Sequence, residues 1–171
     1  MTGMATGGGI AWWRTKIRQT RAHVRASVAP AERDALATWL TPAQLALFDA
    51  MHVADRRHGL DVVASLRTDG ADDREVLLAG LLHDAGKGRT SIAPRIVYAL
   101  GQAYGAWVWR AGSMLPPLRR ALRRLQDHAT TSATMAAAVG CSPRTVELIR
   151  HQDAPIDPLA GVQLKLADDA N

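Results

Sequence analysis

The chain has 171 residues, 47% of them hydrophobic and 22% charged, with a formal net charge of +5. That is globular composition, enough for one domain with a real core, and it argues against a low-complexity or fibrous chain. The single cysteine, Cys141, excludes an intrachain disulfide and fits a reducing, cytoplasmic setting, while no segment offers the roughly 18 uncharged apolar residues of a spanning helix.

Residues 1–9 are Gly-rich and read as a disordered tail without the charged-then-apolar order of a signal peptide; Met4 is an alternative start. Residues 10–28 read as a basic amphipathic helix carrying Trp12, Trp13, Ile17 and Val24, with Arg14, Lys16, Arg18, Arg21 and Arg25 and no acid. Pro30 to Leu40 forms a second helix. Thr41-Pro42-Ala43-Gln44 is a strong helix start: Thr caps, Pro opens the first turn and Gln reaches back from the third position. These segments, 10–50, are expected to pack on a domain spanning 51–171.

Within that domain, Val53 to Arg67 has Leu60, Val63, Ala64 and Leu66 at helical spacing, closed by Asp69-Gly70. Asp72 and Glu75 resemble a capping pair for a helix from Arg74 to Asp84. Its run Val76-Leu77-Leu78-Ala79-Gly80-Leu81-Leu82 is apolar on nearly every side, the mark of a central, enclosed helix. Ile92 to Ala111 reads as one helix, broken by Pro116-Pro117 from another over Leu118 to Gln126. His128 to Val139 ends at Gly140, Ser142-Pro143 starts a helix running to His151, and Asp157-Pro158 starts the last, ending near Asp168. The β-branched residues fall at helical rather than alternating spacing. The fold class is all-α, a bundle of roughly seven to nine helices, with residues 89–126 as a helical insert.

The chemistry-bearing feature is His83-Asp84, two ligand-type side chains side by side at the end of an apolar helix. Such groups are costly to bury unless something pairs with them, and a divalent cation suits both. Four further candidates lie at predicted helix ends: His58, 25 residues before His83; His128, 44 after Asp84; His151; and Asp168. Rivals are His52 for His58 and Asp169 for Asp168; the apolar approach through Leu164 and Leu166 favours Asp168. Asp153 and Asp157 suit turn and cap roles, and His23 a solvated one. Imidazoles with carboxylates and no thiolate fit Mn, Fe, Co, Ni, Mg or Zn, one ion or two, and speak against a structural zinc.

Arg57-His58, Leu81-Leu82-His83-Asp84-Ala85-Gly86-Lys87 and Leu166-Ala167-Asp168 resemble the HD superfamily of metal-dependent phosphohydrolases, over about residues 50–170. The resemblance implies a helical bundle in which His58, His83, Asp84 and Asp168 hold one metal, with His128 and His151 where two-metal branches add ligands. The chain lacks the Gly-Tyr-Pro signature of the HD-GYP branch and carries Gln152 where that branch often has a second histidine. The implied activity is hydrolysis of a phosphomonoester or phosphodiester, of a nucleotide in the first instance, by a metal-activated water. Lys87 is placed to meet a phosphate or to compensate the helix C-terminus, and Arg57 to meet phosphate or solvent. Two other classes stay open: an HD-fold diiron oxygenase, and a non-catalytic signalling domain.

The insert carries Tyr98, Tyr104, Trp107 and Trp109 beside the cluster Arg119, Arg120, Arg123 and Arg124. It reads as a hairpin on the core, a homo-oligomer contact, a substrate lid or a peripheral membrane attachment, and the basic charge also admits nucleic acid as a partner.

Overall fold

The computed structural model describes residues 26–88 and 92–171. The expected tail and the basic helix over 10–28 lie outside the described residues, except for the last three positions. Ten α-helices are described, with no strand among them. They are α1 (Pro30–Ala37), α2 (Pro42–Ala50), α3 (Val53–Thr68), α4 (Arg74–Leu82), α5 (Ile92–Tyr104), α6 (Ala106–Gly112), α7 (Pro116–Gln126), α8 (His128–Ala138), α9 (Pro143–Arg150) and α10 (Ala160–Ala170); a 3-10 turn, Ala85–Lys87, follows α4. The all-α expectation holds, with one helix more than its upper bound.

The centre is α4. Every residue from Val76 to Leu82 is buried, and α3, α9 and α10 pack around it. An isolated nine-residue helix is marginal in water, so this burial on all sides is what stabilises it. Its neighbours contribute Val62 and Leu66 from α3, Ile149 from α9 and Leu164 from α10, all fully buried. The α2 start is the expected capping box: the Thr41 hydroxyl accepts from the Gln44 amide nitrogen, and Gln44 Oε1 accepts from the Thr41 nitrogen.

Two glycines set how closely the elements meet. A Cβ on Gly59 would stand 2.5 Å from the Leu81 carbonyl oxygen, so α3 lies directly on the α4 backbone. A Cβ on Gly86 would stand 2.6 Å from the His128 carbonyl oxygen and 2.7 Å from the Ser132 nitrogen, so the 3-10 turn lies directly on the first turn of α8. The Ser132 hydroxyl accepts from the Gly86 nitrogen at 2.8 Å.

Several boundaries differ from the sequence reading. Asp73, not Asp72, caps α4, its carboxylate accepting from the Glu75 nitrogen. The helix stops at Leu82, leaving His83 and Asp84 just beyond it. The expected single helix 92–111 divides at Gly105, whose φ of 103° breaks the helical path. Pro116 and Pro117 form the first turn of α7 instead of separating it from its predecessor, which suits prolines, since that turn has no intrahelical use for their missing N–H groups. Asp157 does cap, its Oδ1 accepting from the Leu159 and Ala160 nitrogens, but α10 begins only at Ala160.

Gly59→Ala is expected to lower unfolding free energy by about 1–3 kcal/mol, because the added methyl must push α3 off the α4 backbone. Urea unfolding of the purified variant measures this; an unchanged midpoint would contradict the packing described.

Candidate metal centre

Two helices and the turn after a third converge beside Gly59 and Gly86. α3 brings His58, the segment after α4 brings His83 and Asp84, and α10 brings Asp168. His58, His83 and Asp168 each place a ligand atom within 4.8 Å of the others. His58 Nε2 lies 2.7 Å from Asp168 Oδ1. His83 Nε2 lies 3.4 Å from both Asp168 Oδ1 and Asp84 Oδ1. Ligand atoms around a four-coordinate first-row ion stand roughly 3–3.5 Å apart, so these separations need little change to surround one.

The orientation of His83 is fixed by the backbone. Its Nδ1 donates to the Gly80 carbonyl at 2.8 Å, which leaves Nε2 aimed into the cluster. His128 repeats the arrangement, with Nδ1 donating to the Leu125 carbonyl at 2.8 Å. A carbonyl accepting from one ring nitrogen is the usual way a ligating imidazole is held with its other nitrogen forward. His128 Nε2 sits 3.7 Å from Asp84 Oδ1 and 2.7 Å from the Gln152 side-chain nitrogen, from which it accepts.

Side-chain hydrogen bonding is incomplete here and nearly complete elsewhere among the buried atoms of the described residues. Four buried side-chain nitrogen and oxygen atoms among the described residues lack a hydrogen-bond partner; His83 Nε2, Asp84 Oδ1 and Gln152 Oε1 are three of them. Leaving such atoms unmatched costs about 1–3 kcal/mol each, and more for a charged one. A cation between His83 Nε2 and Asp84 Oδ1 would satisfy two at once, so the donor set fits a divalent metal.

The electrostatics agree. Burial opposes charge on His83, but Asp84 and Asp168 outweigh it and push its pKa up to about 9. Burial would raise the Asp84 carboxyl, yet the positive charges of His83 and Lys87 hold it well below the usual carboxylate range. Asp168 is held low in the same way, against its burial, by its hydrogen bond with His58 and by the charge of His83 3.4 Å away. His128 is pushed down, first by burial and then by Lys87. The pocket therefore attracts positive charge, and a proton on His83 supplies it.

The remaining candidates separate. Lys87 Nζ holds Asp84 Oδ2 at 2.5 Å, so it serves the site through that carboxylate. Arg57, beside His58 in sequence, points elsewhere: it pairs with Glu32 at 2.6 Å and Asp61 at 2.8 Å. His151 does not join the cluster. It is half-exposed with Nε2 3.8 Å from Glu147, because α9 ends at Arg150 and the chain turns so that Gln152 is buried instead. His52 caps α3 through Nδ1, and Asp169 pairs with Lys165 on the outside of α10. The apolar approach to Asp168 is half true, since Leu164 is buried but Leu166 is 63% exposed.

Sequence reasoning noted Gln152 only as a departure from a histidine, not as the partner of His128, and missed Ser132 and a bidentate ion pair in which both Arg95 terminal nitrogens donate to buried Asp55, at 2.9 and 2.8 Å. That pair ties α5 to the first turn of α3, close enough for Asp55 to help raise the Lys87 pKa after Asp84. Asp55 lies one turn before His58, which was its only signal.

No protein-family model, curated protein or solved structure matches the chain.

Metal affinity is expected to rise with pH. Cation-free His83 is protonated below about pH 9, and coordination requires the neutral ring, so each unit by which pH rises toward that value should strengthen binding about tenfold, levelling off above it. Competition against a chelator at several pH values measures the slope; a flat profile from pH 6.5 upward would contradict the assignment of His83 as a ligand.

Proposed function

We propose that the chain is a metal-dependent phosphohydrolase of the HD type, cleaving a phosphomonoester or phosphodiester, with nucleotides as the first substrate class to test. The observation that carries the reading is the convergence of His58, His83 and Asp168 with two unmatched buried atoms, His83 Nε2 and Asp84 Oδ1, between them. The order His, His-Asp, Asp along the chain supports the HD assignment, and the Lys87 cation supports a phosphorylated substrate.

The ligands in this proposal are His58, His83, Asp84 and Asp168. A divalent ion held by them supplies Lewis acidity and a water acidified toward neutrality. Asp84 has two tasks: Oδ1 faces the ligand cluster, while Oδ2 is held by Lys87. Lys87 fixes that carboxylate and brings positive charge to where a phosphoryl group would gain negative charge. His128, kept neutral by burial, has Nε2 available to take a proton if the Gln152 amide moves aside. With His151 turned toward Glu147 and His128 engaged by Gln152, the chain supports one ion in preference to two.

Elemental analysis of purified protein beside a nucleotide phosphatase screen tests this. About one ion per chain and turnover of a phosphoester are expected. Asp84→Asn, which keeps the side-chain shape, is expected to reduce turnover by a hundredfold or more, roughly the loss from removing one well-placed electrostatic group. Retained turnover in that variant would sink the catalytic assignment. Two tightly bound irons with a redox-dependent spectrum would favour oxygen chemistry instead, and bound metal without phosphoester turnover would leave the site but refute the activity.

A further inference from the structure

Between Asp84 and Asp127 the chain has no carboxylate and eight Lys and Arg residues. Those eight cations exceed the whole chain's net +5, so the remaining residues sum to a net negative charge and this stretch is strongly positive. In α7 the polarity is sorted by face. Ala121, Leu122 and Leu125 turn inward, whereas Arg119, Arg120, Arg123 and Arg124 are all exposed.

The neighbouring helix, α6, is sorted differently. Its inward face carries Val108, Trp109 and Gly112. Trp109 stacks on Tyr98 at 5.7 Å and donates its indole N–H to the Tyr98 carbonyl at 3.1 Å. A Cβ on Gly112 would touch Leu118 and Leu122 of α7, so α6 and α7 share an inner surface and present their other faces outward. The outward face of α6 carries Trp107, Arg110 and Ala111, and Met114 and Leu115 follow in the turn that leads into α7. Trp107 is 65% exposed, Met114 83% and Leu115 61%. Three large apolar side chains held out in water beside a band of exposed arginines mark a contact surface rather than an ordinary solvated face.

We propose that this face docks peripherally on an anionic lipid bilayer. Trp107, Met114 and Leu115 enter the headgroup and upper acyl region, and the α7 arginines meet lipid phosphates. No described helix is long and apolar enough to cross a membrane, so the contact is one of lying on the surface. A few inserted side chains give only weak, reversible attachment, and a basic patch supplies the second signal that makes it useful. Nucleic acid fits less well. A base-stacking platform needs planar side chains along a basic groove, whereas Met114 and Leu115 give bases nothing to stack on. The proposal does not rest on the metal centre.

The test is sedimentation of the full chain with phosphatidylcholine vesicles, with or without phosphatidylglycerol, at low and high salt. Pelleting is expected only with the anionic vesicles and should weaken as salt rises. The set W107S/M114S/L115S and the set R119Q/R120Q/R123Q/R124Q are each expected to weaken binding by about tenfold or more, with circular dichroism unchanged because both face solvent. On the native chain, brominated lipid should quench tryptophan fluorescence, and Trp107→Phe should lose part of that quenching. No pelleting with anionic vesicles, full pelleting of either variant set, or RNA displacing the protein from vesicles would overturn the proposal, as would quenching undiminished in Trp107→Phe.

Discussion

At the middle of the bundle His83 Nε2 and Asp84 Oδ1 stand 3.4 Å apart, almost wholly buried and with no hydrogen bond to anything. Elsewhere the fold satisfies its interior polar groups with care: ring nitrogens find carbonyls, the Gly86 nitrogen finds Ser132, and Asp55 finds both arms of Arg95. Two unmatched atoms amid such matching mark the place where a cation would satisfy both. The charges around it make the same point, because two carboxylates depressed in pKa and a histidine raised to about 9 describe a pocket that draws in positive charge.

That pocket exists because of backbone proximity more than side-chain choice. Its ligand-type groups come from segments 25 and 84 residues apart in the chain. They meet because Gly59 lets α3 rest on the Leu81 carbonyl and Gly86 lets the 3-10 turn rest on α8. Each glycine is within three residues of a cluster member, so the packing of the bundle and the spacing of the site are set by the same contacts. The enclosing helices hold rigid what a metal would need held, since ligand geometry loosened by an ångström loses most of its value.

The all-α class and most helix positions were legible, because capping chemistry at Thr41 and Ser142 and the apolar run of α4 are local signals. His58, His83, Asp84 and Asp168 were legible as candidates through one short motif and helical spacing. Which side chain near position 151 turns inward was not. His151 and Gln152 are adjacent, and a helix end can rotate either one toward the core; only the turn after Arg150 decides. Arg57 was misleading for a similar reason, since its neighbours Glu32 and Asp61 lie on other turns and elements whose approach the sequence does not state. The break at Gly105 was hidden by an apolar pattern that continues across it.

The molecule thus has an acid-and-imidazole pocket in its core and a strongly cationic, partly apolar insert, linked by Arg95 on Asp55. The pocket is the part on which the account stands. X-ray absorption of the protein loaded with a single first-row metal tests it most directly. Nitrogen and oxygen scatterers at about 2 Å, with the outer-shell pattern of two imidazoles and no sulfur, are the expected result. A spectrum of a hydrated ion without imidazole, or one containing the Cys141 sulfur, would contradict it.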